Sequence, residues 1–171
     1  MGLKIGDYET ILERICESID SDTSEGGLRE NPDPPVKTIE KSWNGGVRAL
    51  RSHETPALFV SITLKEEREF GRASLRTYRA LFQVVCRGAD ATAESALCRK
   101  IVSRLEEFLR EQNDADKQFG GLPDALDWSI GALTVTPRMT RFASVYPRGE
   151  EPVYSVSAYL EVELEISARA M

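Results

Sequence analysis

The most regular hydrophobic pattern in the chain lies near its end. From Val153 to Ile166, Tyr154, Val156, Ala158, Leu160, Val162, Leu164 and Ile166 share one parity; Ser155, Ser157, Tyr159, Glu161, Glu163 and Glu165 share the other. A period of two predicts a β-strand with one buried and one wet face. At ~3.4 Å per residue it would run roughly 45 Å, well past the usual ~17–20 Å. Such a strand is expected to overhang its own domain and to pair or pack with another chain.

Weaker alternation marks three more strands. Pro56 opens one, with Leu58, Val60, Ile62 and Leu64 on one side. Residues 75–87 form the next, with Tyr78, Ala80, Phe82, Val84 and Cys86 facing one way and Thr77, Arg79, Gln83 and Arg87 the other. Between them Lys65 to Ser74 reads as a charged connection containing Gly71, the protruding tip of an antiparallel hairpin. A strand over Trp128 to Met139 changes parity around Gly131, which predicts a β-bulge there, and Pro137 marks the end of its regular pairing or an edge. Arg141 to Glu151 then turns the chain into the last strand.

Helical spacing appears twice. Asp7 is placed to cap a helix whose apolar stripe is Tyr8, Ile11, Leu12, Ile15 and Ile19. Asp90 caps a longer one, reaching about Glu111, with Ala93, Leu97, Ile101, Leu105 and Phe108 on its stripe. Asn113 to Leu126 reads as a polar connection. Residues 21–55 lack a clear period, and Pro32, Pro34 and Pro35 forbid a helix there. They read as an arm that docks on a neighbour, a mobile insertion, or a surface loop with one tucked-in tryptophan. Val36 to Ile39 is a candidate short strand, and Trp43 a candidate anchor for the arm. The fold class predicted is α+β: a mainly antiparallel sheet of about four long strands with two helices on one face, in the order α-(arm)-β-β-α-β-β. The 171 residues suit one domain, 1–171, with 21–55 as a loop or arm insertion.

Charge and residue chemistry narrow the function. A net charge of −6 argues against general coating of nucleic acid, which rests on cationic neutralisation of phosphates. No run of about 18 apolar residues predicts a membrane span, and no secretory signal is expected at the N-terminus. Cys16, Cys86 and Cys98 are unclustered and read as reduced, mostly buried side chains. The single histidine, His53, stands in the breaker-rich region with no cysteine or acidic motif beside it. No phosphate cradle, metal cluster or nucleophile–base pair emerges, so no catalytic, metal or cofactor-binding residue is assigned and no cofactor is expected. Glu161, Glu163 and Glu165 form a row on one strand face, read either as a solvated face or as an acidic strip meeting basic side chains of a neighbour or lining a lumen. Arg76, Arg79 and Arg87 are candidate cross-strand partners for it.

The sequence of elements resembles a known family. The features are a short N-terminal amphipathic helix, the strand PALFVSITL with a charged tip, the strand LRTYRALFQVVCR, the helix DATAESALCRKIVSRLEEFL after a strand-ending glycine, and the closing strand SVSAYLEVELEI. This is similar to the tail terminator (tail completion) proteins of long-tailed bacteriophages and to related minor tail proteins of prophages and gene-transfer particles. The resemblance implies a non-enzymatic structural protein of the virion tail, assembled in the host cytoplasm. It would form a homo-oligomeric ring, typically a hexamer, at the head-proximal end of the tail. Its implied partners are copies of itself, the tail tube protein and a head-tail connector or neck protein, with genome DNA passing through unbound and no membrane involved. Within that frame Lys65, Glu66, Glu67, Arg68, Glu69, Phe70 and Arg72 are candidate inter-subunit or tube contacts, and the glutamate row a candidate lumen or interface. The alternatives are another neck or tail component (connector, tube or baseplate ring subunit) and a small ligand-binding domain.

Overall fold

The computed structural model describes residues 7–23, 25–30, 35–42, 50–71, 73–125, 132–145 and 153–169. Its elements are α1 (Asp7–Asp20), β1 (Thr38–Lys41), a one-turn 3-10 helix (Ser52–Glu54), β2 (Ala57–Phe70), β3 (Ala73–Gly88), α2 (Ala91–Glu111), α3 (Gln118–Ala125), β4 (Ala132–Val145) and β5 (Tyr154–Arg169). The strands make one sheet in the order β1-β2-β3-β5-β4, antiparallel throughout except for the parallel β1–β2 pair. The predicted α+β class holds, with one strand and one helix more than the sequence pattern indicates.

The last strand takes a different place from the one its length suggests. β5 is central, paired along its whole length with β3 on one side and from Ser155 to Ser167 with β4 on the other. Both rows of its backbone hydrogen-bonding groups are used inside the chain, so no second chain can pair with it. Its length is matched by a β3 of the same number of residues.

Helices close one face of this sheet. Asp90 caps α2 by accepting hydrogen bonds from the backbone N–H groups of Thr92 and Ala93, at 3.0 and 3.2 Å. The stripe of α2 (Leu97, Ile101, Leu105, Phe108, with Cys98, Val102 and Leu109) packs with Ile11, Ile15 and Ile19 of α1 against Phe82, Val84, Leu160, Val162 and Leu164. Burying a side chain of this kind stabilises by ~1.5–3 kcal/mol, which fixes both helices to the sheet.

The described part of residues 21–55 is built into the same core. Leu28 and Val36 are fully buried there. The Asp22 carboxylate accepts from the Leu28 N–H at 2.7 Å and from the Arg104 guanidinium at 2.8 and 3.1 Å, tying the segment to α2. Arg29 then bonds Asp20 and the carbonyls of Val36 and Lys37, and Thr38–Lys41 adds a strand beside Ala57–Val60. The short strand therefore lies two residues later than the Val36 to Ile39 candidate. Trp43, the candidate anchor, lies outside the described residues.

Three other expectations are corrected. The charged stretch 65–70 is strand, not loop: β2 and β3 pair out to Phe70↔Ala73, with Gly71 at φ +60° in the turn. The connection after α2 contains α3, whose first four residues, Gln118 to Gly121, all have positive φ, from 45° to 81°. That conformation costs ~1–2 kcal/mol at each non-glycine residue. It is offset by full burial of Phe119 against Phe108 and by a 2.9 Å bond from the Phe119 N–H to Gln112 Oε1. Finally, β4 runs on through Pro137 to Val145 and includes residues read as a turn. Its register shifts between Pro137 and Met139, while Trp128 to Gly131, where the bulge was expected, lies outside the described residues.

Candidate functional site

Strand parity assigns every sheet residue to the helix-covered face or to the opposite, open face. At one end the open face is closed by a small cluster of Ala57, Phe59, Val85 and Leu50. Arg87 donates to the Leu50 carbonyl at 3.0 Å, which holds that segment down. Toward the hairpin tip the open face carries Glu161, Glu163 and Glu165 of β5, all half-buried. Arg79 of β3 is directly opposite Glu163. Arg138, the extra residue of the β4 bulge, donates to both Glu163 carboxylate oxygens at 3.2 Å, and the carboxylate holds the guanidinium above its usual range. Arg141 stacks over the Tyr159 ring at 5.2 Å. Leu64, Glu66, Arg68, Leu75 and Thr77 complete a shallow depression of about 170 Å³ beside Arg79.

The glutamate row is thus interleaved with guanidinium groups and is not a bare acidic strip. Of its expected cross-strand partners, only Arg79 stands opposite the row. Arg76 is opposite Ile166 on the covered face and pairs with Glu67 at 3.1 Å. Arg87 is engaged at the far end. The cation that does bond the row, Arg138, was missed; the signal for it was Pro137 inside an alternating run, which places a bulge and turns the next side chain toward β5.

The tip residues divide between the faces in the same way. Lys65 turns to the covered side, its ammonium 5.5 and 5.6 Å from the ring centres of Tyr8 and Tyr78, which meet edge to face. Glu67 follows it to the covered side; Glu66 and Arg68 face the open side. Glu69 is opposite Ser74, and Phe70 ends the strand. Arg72 lies outside the described residues.

The two edges of the sheet are unequal. On β4, the Asn113 amide closes the outer edge at Val135, accepting from its N–H at 2.7 Å and donating to its carbonyl at 2.9 Å. Pro137, with no N–H, continues that closure. Past the bulge no such cover exists among the described residues, and Met139 and Phe142 are 52% and 49% exposed. On the opposite edge β1 lies beneath α1, with Lys41 held by Glu9 and Glu13 at 2.8 and 3.5 Å.

Among the described residues no convergent reactive group accompanies these surfaces. Among the described residues no cluster of three metal-ligating side chains occurs, and no helix is long and apolar enough to cross a membrane. His53 is exposed in the 3-10 turn. Cys86 and Cys98 are free thiols buried together, and the thiol of Cys86 is pushed far up by its hydrogen bond with Cys98 and by burial. A charged hollow of about 450 Å³ between α1 and the α2–α3 corner is lined by Arg14, Glu17, Asp22, Arg104 and Lys117, most of them engaged with one another or with backbone.

No protein-family model matches the chain, and no curated protein matches it. A solved structure that aligns with it is described as the virion of a native gene transfer agent particle. The alignment covers 91% of this chain and 94% of that one, at 8% identity and a TM-score of 0.46. Similarity of that degree assigns no function.

Proposed function

We propose that the chain is a structural subunit of a phage-like tail, assembling into a ring at the head-proximal end of the tube. There it ends tube growth and offers the surface on which the head-side connector docks. The single observation that carries this reading is the sheet itself. Among the described residues one face is sealed by helices, and the other is left open, with interleaved charges, no deep pocket and no convergent reactive set. A surface of that kind suits contact with other protein subunits, not turnover of a small molecule. The order of elements, which resembles that of tail terminators, adds to it.

In this reading the open face lines the channel, and its glutamates and arginines give DNA phosphates neither a cationic bed nor a purely repulsive wall. The strand-paired tip, Lys65 to Phe70, projects toward the tube or the next ring. The role is tested by deleting the gene and examining lysates by electron microscopy. Tails of uncontrolled length without heads are the expected result; normal headed particles would exclude it.

A further inference from the structure

We propose that the ring closes by edge-to-edge strand addition: Met139–Val145 of β4 in one copy pairs antiparallel with Thr38–Lys41 of β1 in the next, and Phe142 enters the cleft beneath α1. This deepens the reading of the chain as a ring subunit and rests on it.

Backbone parity identifies which edge groups face outward. In an antiparallel ladder, groups alternate between facing the partner strand and facing away. Val135, opposite Leu164, faces away from β5, since Asn113 holds both its N–H and its carbonyl. Leu160 and Ala158 have the parity of Leu164 on β5, so their partners Thr140 and Phe142 also present their backbone groups outward. On β1, the N–H groups of Thr38 and Ser42 point in, to the carbonyls of Pro56 and Val60. Ile39 and Lys41 therefore point out. Edge groups with no partner among the described residues are a template for another strand.

Level along the sheet then fixes the register. The pairing runs Ile39↔Leu58, Leu58↔Val84, Val84↔Ala158 and Ala158↔Phe142, so Ile39 and Phe142 stand at the same level on opposite edges. By the same route Glu40 stands level with Arg141 and Lys41 with Thr140. A rotation about an axis along the strands, without translation, keeps each level and sets β4 of one copy antiparallel to β1 of the next. Outward-facing Ile39 then meets outward-facing Phe142, and Lys41 meets Thr140. Ile39 and Phe142 fall on the helix-covered face, Glu40 and Arg141 on the open face.

Side chains agree with the backbone. A cleft of about 460 Å³ beside β1 has Ile39 and Cys16 as its apolar floor and Glu13, Glu17 and Glu40 on its rim. Lys41 at its edge bonds Glu9 and Glu13. Strand β4 brings the exposed ring of Phe142 and the guanidinium of Arg141, and has no carboxylate from Ala132 to Val145. On the covered face an apolar slot thus meets an apolar knob, and on the open face Arg141 comes opposite Glu40. Because the two edges differ, the contact is head-to-tail, the kind that generates a ring when its rotation closes.

The test uses the full chain with Cys16→Ser as background and Glu40→Cys combined with Arg141→Cys. Within one copy the two positions are four strand spacings of ~4.8 Å apart, too far for a disulfide, so any bond joins two copies. Under mild oxidation the double variant is expected to give a ladder of covalent multimers on a non-reducing gel, lost on reduction and absent from each single-cysteine variant. Phe142→Asp is expected to weaken association at least tenfold by light scattering while the circular dichroism spectrum stays unchanged. A parent protein that is oligomeric in solution, with no ladder and no effect of Phe142→Asp, would overturn this interface and leave the ring reading standing. A parent that stays monomeric at the highest concentration reached would overturn both.

Discussion

β5 carries two environments on one strand. Val156, Ala158, Leu160, Val162, Leu164 and Ile166 are buried, most of them completely, whereas Glu161, Glu163 and Glu165, each one residue away, are half-buried among arginines. The backbone is the same; only the layer above each face differs. The covered face shows where folding free energy comes from, and the open face shows which surface has been left available. A charged row on a fully paired central strand contributes little to stability, because solvent screens such pairs.

The first way to break this contrast is a cavity on the covered face. Leu160→Ala is expected to destabilise by about 3–4 kcal/mol, a fall of about 10 °C in melting temperature by calorimetry. Next comes the tie that holds the segment after α1 on that side. Asp22→Ala leaves Arg104 without its nearest partner and the Leu28 N–H without an acceptor, for a loss of about 3 kcal/mol in a urea titration. On the open face the expectation reverses. Replacing Glu161, Glu163 and Glu165 together by lysine should move the melting temperature only slightly while hindering assembly or DNA passage. Wild-type infectivity of a phage with that triple variant would show the row to be merely solvated.

The smallest effect concerns Glu94. Burial and the neighbouring Asp90 carboxylate push its carboxyl above the usual range, and its side chain lies over Gly88. A carboxyl raised on folding favours the native state below its unfolded pKa, an advantage lost as pH rises through the folded value. Glu94→Gln should therefore leave the melting temperature near pH 4 unchanged and raise it slightly at neutral pH.

How much the sequence showed followed from how one-sided each element is. β5, β3 and α2 each have one wet and one dry face, so their periods were plain in the residues. The tip of β2, Lys65 to Glu69, carries charge on both faces, with Glu66 to Glu69 exposed, and a strand without alternation reads as loop. β1 is too short for a period and draws its stability from β2. The left-handed turn at Gln118 to Gly121 depends on Gln112 and on a pocket for Phe119, contacts that local pattern does not contain. The glutamate row was visible, but Arg138 was not, since its aim depends on a bulge at Pro137. The Asn113 closure of β4 joins residues 22 apart in sequence, and only the fold brings them together.

The central claim is that this chain works as a self-associating part whose open surfaces meet copies of itself. Negative-stain electron microscopy of the purified protein tests it most directly. The account predicts closed rings of one size with a central channel. A field of separate compact subunits at every concentration would contradict it.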